Sequence, residues 1–362
     1  MRLEDAAAFE IFNDSRLLFS SRRQQLLELN QASAVLAYLL QGGATRETLI
    51  EALTRIGIVA DTAASWVSDF LRDLSSNGML ELAEFDSIQA AATQNLSIAG
   101  CSLNVVYGSV TLRDLIAPPY DPLVRNSTDS DCKIHLVEVD EFVGVGERPT
   151  PVVERIYAAT TLKGRILEHV LAHKEHLLAL HAACMIDDAG AVLLLGSPGA
   201  GKTTLSVALL AEGLSYGSDD VTLISNDGSS LGVPLPIGAK EGAWPQIASS
   251  YGDLSGFPIH LRPDGQKVRY LVPPGPAVEN PTAVKAVVRL RRTGDSPPSI
   301  VSISSAEAMT ELLRESRALD GRCSIEIVQV LGQIIRGARC LELRYTEASA
   351  AARLLWRSLR DD

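Results

Sequence analysis

The chain has 362 residues, of which 46% are hydrophobic and 21% charged, and its formal net charge is −11. That is the composition of a globular protein too long for one ordinary core, so two or three domains are expected. The acidic surplus argues against nucleic acid as a partner, because no excess of cations exists to neutralise phosphates.

Cys101, Cys132, Cys184, Cys323 and Cys340 are scattered singly. This suits reduced thiols of a cytoplasmic protein better than a disulfide frame or a zinc site. The start, Met1 to Asp5, is acidic and has no apolar signal core. No apolar run approaches the roughly 20 residues of a membrane span. The expectation is a cytoplasmic protein without a membrane partner.

Residues 1–90 read as a small α+β unit. Leu17 to Phe19 and Leu26 to Leu29 are strand candidates flanking a polar turn. Asn30 caps a helix through Leu40, Thr45 opens a second, and Asp61 caps a third, on which Trp66, Phe70, Leu71 and Leu74 share a face. Met79 to Leu82 returns as a strand. A small winged-helix-like module is the simplest assembly of these pieces, and a helical adaptor is the alternative.

The stretch Leu27-Glu28-Leu29-Asn30, then Gly42-Gly43-Ala44-Thr45, then Val67 to Leu74 ending in Ser76-Asn77-Gly78-Met79-Leu80, resembles the PqqD family over about 70 residues. The family's members recognise precursor peptides in ribosomal peptide natural-product pathways. The resemblance implies a leader peptide added as a strand to the sheet edge and packed against the third helix. DNA binding by a winged helix is the rival. Seven basic against thirteen acidic residues up to residue 95 disfavour it.

Residues 91–175 read as a β-rich connecting part. Strands are expected at Leu103 to Val106 and Ile134 to Val139, with a proline loop from Ala117 to Pro122 between them. An amphipathic helix from Thr160 to His173 follows.

The third part, 176–362, is organised around Gly196-Ser197-Pro198-Gly199-Ala200-Gly201-Lys202-Thr203-Thr204, which fits the phosphate-loop pattern G-x-x-x-x-G-K-[ST]. By average residue usage the bare pattern arises by accident in roughly one chain in a hundred of this length. Its setting makes it specific: the apolar run Ala191 to Leu195 before it reads as a buried strand, and Leu205 to Leu210 after it reads as a helix stopped by Gly213. Glycines let successive N–H groups curl around an anion, and the helix N-terminus adds its positive end. Lys202 supplies a mobile charge for the phosphates, and the Thr203 hydroxyl suits Mg²⁺.

Two further features lie close in sequence. His181 sits in Leu180 to Ile186, the expected neighbouring strand; a core histidine bonded to backbone is the plain alternative. Asp219 and Asp220 open an apolar run through Ile224. Consecutive strand residues face opposite ways, so the pair can share one site only if the chain is still turning there.

Leu180-His181-Ala182-Ala183, the loop Gly196 to Thr204, and Gly217-Ser218-Asp219-Asp220 resemble, in that order and spacing, the HPr kinase/phosphorylase family and its shorter peptide-phosphorylating relatives. The resemblance implies an α/β P-loop kinase domain that uses ATP and Mg²⁺. Residue by residue, it gives phosphate binding to Lys202, a metal contact to Thr203, and an active-site position to His181. Asp219 is then the base and Asp220 the metal-side carboxylate, with the reverse order open.

The family's arginine-glycine loop has no counterpart downstream, which leaves phosphorylation of the small phosphocarrier without support. Lys240 and Arg269 stand in that region instead, as cations for the transferring phosphoryl group or as solvated surface charges. The C-terminal part reads as scaffold: a strand Ala286 to Leu290, a capping box at Ser304 and Glu307, a helix from Ile325 to Ile335, a strand Cys340 to Tyr345, and a last helix capped by Thr346.

The functional expectation is an ATP-dependent kinase acting on a Ser or Thr hydroxyl of a ribosomally made precursor peptide, whose leader is held by the N-terminal domain. The alternative is a nucleotide-gated peptide-binding ATPase that transfers nothing to the peptide. The oligomeric state stays open, a homo-oligomer included.

Overall fold

The computed structural model describes residues 1–13, 15–82, 90–126, 130, 132–147, 150–294, 296–318 and 322–360. The chain divides into two compact units. One comprises residues 1–94, 104–116 and 132–165, and the other residues 95–103, 117–131 and 166–362.

In the first unit, Ala7–Phe12, Ser15–Ser20 and Gln25–Glu28 form an antiparallel sheet with Ser15–Ser20 in the middle, so Gln25–Glu28 is an edge. Ala7–Phe12 is a strand beyond those expected: its alternation is confined to Phe9-Glu10-Ile11, with apolar pairs Ala7-Ala8 and Ile11-Phe12 at its ends, and only Phe9 is buried.

Three helices follow, at Gln31–Gln41, Arg46–Arg55 and Ala60–Ser76. Asn30 and Thr45 cap the first two, their side chains accepting from Ser33 N (2.8 Å) and Thr48 N (3.2 Å). The third begins after Val59 without a side-chain cap, so Asp61 lies inside its first turn and favours it only through the helix dipole. Its core face runs through Ala63, Val67, Phe70, Leu71 and Leu74; Trp66, expected on that face, is 47% exposed.

A second sheet of this unit runs in the order Arg2–Leu3, Leu80–Leu82, Thr150–Glu154, Phe142–Gly146, Cys132–Val139. Phe142, Val137 and Val152 share one apolar core with Leu36, Leu49, Leu71 and Leu80.

In the second unit a six-stranded sheet has the order Ser215–Ser218, Ala183–Asp187, Gly190–Leu195, Val284–Arg292, Arg339–Tyr345, Ser299–Ser302. The three strands Gly190–Leu195, Val284–Arg292 and Arg339–Tyr345 are parallel, and all six residues of the first are buried. Helices cover both faces, which is why these strands read as continuous apolar runs. Lys202–Ala211 and Ala348–Arg360 pack on one face, Ser305–Glu315 and Ile325–Gly337 on the other.

Ser304 and Glu307 form the expected capping box. Thr346 does not cap the last helix, because its hydroxyl turns away to the Thr293 and Gly294 carbonyls. The Glu347 carboxylate accepts from Ser349 N and Ala350 N in its place. The proline segment expected as an open loop forms a 3₁₀ turn, Pro118–Leu123.

Two smaller sheets complete the second unit. One has the order Ser230–Gly232, Thr222–Ile224, Leu178–Leu180, Ser316–Ala318; the other has Lys267–Leu271 between Ile237–Lys240 and His260–Leu261.

Candidate active site

The strand expected across Leu180 to Ile186 is two strands in two sheets. Leu180 pairs with Thr222 in the four-stranded sheet, while Cys184 pairs with Ser218 in the six-stranded one. Both chains therefore change sheets at the same level, one across His181-Ala182 and the other across Asp219 to Val221. Backbone leaving a ladder aims side chains outside strand alternation, so adjacent residues can serve one site. His181 Nδ1 consequently lies 3.1 Å from Asp220 Oδ1, with side chains 36% and 46% exposed.

Asp219 turns the other way and is buried, at 4% exposure. Thr203 Oγ1 donates to its Oδ2 at 3.1 Å, and Gly238 N donates to the same oxygen at 3.3 Å. Tyr216 Oη lies 3.0 Å from Asp219 Oδ1 and 2.8 Å from the Leu235 carbonyl, so its single proton serves one acceptor at a time. Burial, then the neighbouring Asp219 charge, raises the Tyr216 pKa well above the ordinary phenol value, which keeps it a donor. Tyr216 was not anticipated; nothing in sequence marks a core tyrosine three residues before a carboxylate as its partner.

The loop Gly196 to Gly201 leaves the strand Gly190–Leu195 and enters the helix Lys202–Ala211. Gly201 has φ +97°, and a Cβ there would lie 2.5 Å from Tyr345 Oη, so both conformation and space require glycine. No side chain at Gly201 caps the helix, so its first N–H groups remain available to an anion.

Lys202 is 7% exposed, and its Nζ donates to the Gly196 carbonyl at 2.5 Å. Burial lowers its pKa; the negative charges of Glu315, Asp220 and Asp219 oppose that, and Lys240 adds to the lowering. Glu315, 5% exposed at the end of its helix, was also unanticipated. Its carbonyl accepts from His181 N at 2.8 Å.

The structure thus brings together Lys202, Thr203, Asp219, Asp220 and His181, with Lys240 inside the field of Lys202. Arg269 is not part of this group. It shares a face of the small sheet with its cross-strand partner Ala239, and so faces away from Lys240. Its guanidinium lies 4.7 Å from the Trp244 ring centre and donates to the Leu254 carbonyl. Cys184 is wholly buried, and desolvation pushes its thiol up to about 12, which makes it core and not a nucleophile.

The arrangement offers an anion cradle, a buried carboxylate tied to a threonine hydroxyl, and a second carboxylate with a histidine at the surface. The donor set suits a hard cation bound through oxygen beside phosphates, since Thr203 and Asp219 present oxygen ligands only.

No family model and no curated protein matches the chain. Among solved structures it is similar to TbiB1 in complex with the TbiA(beta) leader peptide, at 22% identity. The match covers 22% of this chain and 94% of that one, with a TM-score of 0.21. No helix among the described residues is long and apolar enough to cross a membrane.

Proposed function

We propose that the chain is a phosphotransferase that moves a phosphoryl group from ATP to a Ser or Thr hydroxyl of a ribosomally made peptide, with its first unit holding the leader. The observation that carries the transferase reading is the Thr203–Asp219 hydrogen bond beside Lys202, with the Asp220–His181 pair next in the chain and open to solvent.

The residues divide the work as follows. The loop N–H groups and Lys202 hold the phosphates, whose charge offsets the desolvation that lowers the Lys202 pKa. Thr203 and Asp219 would hold Mg²⁺, which when bound neutralises charge on the transferring group. Asp220, oriented by His181, takes the proton of the acceptor hydroxyl; its side chain is 46% exposed and within an acceptor's reach, whereas Asp219 is buried. Lys240 adds positive charge near the phosphates. This reverses the order of the two aspartates from the one the family resemblance assigns first.

The peptide acceptor is supported by the first unit. Gln25–Glu28 is an edge strand with Leu26 59% exposed, and the third helix exposes Trp66. An edge strand accepts an extended peptide through main-chain hydrogen bonds, and exposed apolar side chains add contact area for it. Tethering the leader raises the local concentration of the acceptor, so weak contacts at the transfer site suffice.

Incubation with ATP, Mg²⁺ and a candidate precursor, read by phosphopeptide mass spectrometry, tests the reading. A phosphorylated Ser or Thr is expected, lost in Lys202→Ala. Release of phosphate without modified peptide would select the ATPase alternative. Trp66→Ala should weaken leader binding about tenfold and leave ATP affinity unchanged.

A further inference from the structure

One strand outruns the phosphate-loop strand on its parallel side. Leu195, the last residue before the loop, pairs with Arg289, but the neighbouring strand continues to Arg292. Its extension therefore flanks the loop itself, and a Cβ on Gly196 would lie 3.4 Å from Leu290.

Arg292 is in register with Tyr345 on the next strand, so the two side chains share a face. Tyr345 is fully buried, and its hydroxyl donates to the Ala200 carbonyl at 2.7 Å. The Arg292 guanidinium lies 5.8 Å from the Tyr345 ring centre. Its Nε and Nη2 are 3.2 and 3.3 Å from where a Gly201 Cβ would be. Arg291, one residue earlier, faces the opposite side and meets Glu342 at 3.6 Å. Arg292 has no carboxylate partner among the described residues.

We propose that Tyr345 is a positioning residue for the phosphate loop, and that it holds Arg292 beside Gly201 as a further cation for the nucleotide's phosphates. This rests on the nucleotide-binding reading of the same loop.

Turning the Ala200 carbonyl back onto Tyr345 fixes one peptide plane of the loop, and a loop with fixed planes binds an anion without first ordering itself. The ring then limits where the guanidinium above it can sit, which lowers the entropy Arg292 loses on binding. Burial also raises the phenol's pKa, with Arg292 opposing that, so the hydroxyl stays a donor at neutral pH.

The test is calorimetric titration of the full chain with ATP and with AMP in the presence of Mg²⁺, for wild type, Tyr345→Phe, Arg292→Gln and Arg292→Lys. Tyr345→Phe removes one neutral hydrogen bond and should weaken ATP about fivefold. Arg292→Gln should weaken ATP by about tenfold or more and AMP less, because fewer charges face the missing cation. Arg292→Lys should recover part of the loss. In steady-state assays Tyr345→Phe should raise the KM for ATP while kcat at saturating ATP stays within about twofold, a split that general damage to the fold would not give.

Arg292 is exposed, so its substitutions test the idea even if Tyr345→Phe folds poorly. ATP binding by wild type that Tyr345→Phe and Arg292→Gln both keep overturns the inference alone. Wild-type binding no tighter than that of Lys202→Ala overturns the nucleotide reading and this inference with it.

Discussion

His181 and Asp220 meet at 3.1 Å although 39 positions separate them, because both chains leave one sheet for another at the same level. A regular strand would have sent Asp219 and Asp220 to opposite faces and hidden one from the site. The shared break lets one carboxylate go inward to Thr203 and the other outward to the histidine. It divides two neighbouring, chemically identical residues into two environments.

The outward carboxylate is the one whose loss should stop proton removal. Asp220→Asn should lower kcat for peptide phosphorylation by about 10²–10⁴-fold, with the KM for ATP within about twofold. His181→Gln, which removes only the partner that orients it, should cost less. Initial rates at saturating ATP decide the matter. An Asp220→Asn enzyme turning over at the wild-type rate would return the base role to Asp219.

The inward carboxylate should behave as one unit with the loop hydroxyl. Asp219→Asn removes the charge and one of the two acceptor oxygens: an amide nitrogen at the Oδ2 position would face the Gly238 N–H, and at the Oδ1 position it would reverse the Tyr216 hydrogen bond, leaving that hydroxyl to donate to Leu235. A fall in transfer of about 100-fold or more is expected, with Thr203→Val similar. Because the two residues act through one contact, the double variant should be little worse than either single. Additive losses in that cycle would separate their roles.

What was legible in the sequence was local. Asn30, Thr45 and the Ser304 box cap their helices because a cap is a contact over three residues. The phosphate loop declared itself because its glycines, lysine and threonine are contiguous. Asp61 and Thr346 misled for the converse reason: each type caps well in general, but Val59 begins one helix and Thr346 bonds across to Thr293 in the other. The Tyr345 hydroxyl reaches Ala200 from 145 positions away, and no spacing rule finds such a partner. Lys240 and Arg269 carry the same charge in similar settings. Only the register of their two strands separates the cation near Lys202 from the one held by Trp244.

Gly201 offers a test of the loop that does not touch its charges. At φ +97° an alanine is strained by roughly 1–2 kcal/mol, and its methyl would lie 2.5 Å from the Tyr345 hydroxyl. Both effects push the loop from its curled form. Gly201→Ala should lose ATP affinity at least about tenfold while leader binding is unchanged. Urea denaturation should show a loss on the order of 1–3 kcal/mol. Gly199→Ala meets only the backbone penalty, since no atom lies within 4 Å of its Cβ position, and should be milder in both assays.

Acid sensitivity of the second unit should trace in part to His260. The ring is 4% exposed, and burial alone lowers its pKa from 6.5 to about 4. A folded-state pKa below the unfolded one means that the unfolded chain binds the proton first. The contribution of His260 is therefore fully present above pH 6.5 and is lost as pH falls toward 4. With about 1.4 kcal/mol for each tenfold change in proton affinity between the two states, the loss is on the order of 3 kcal/mol. Carboxylates also titrate near the lower end of this window, so the comparison has to be with a variant that cannot take the proton. His260→Phe keeps a ring beside Tyr270, whose ring centre is 5.8 Å away, and His260→Gln keeps a polar group. Urea midpoints for both variants should change less between pH 6.5 and 4 than those of wild type. An identical slope in all three proteins would mean that the acid response comes from other groups.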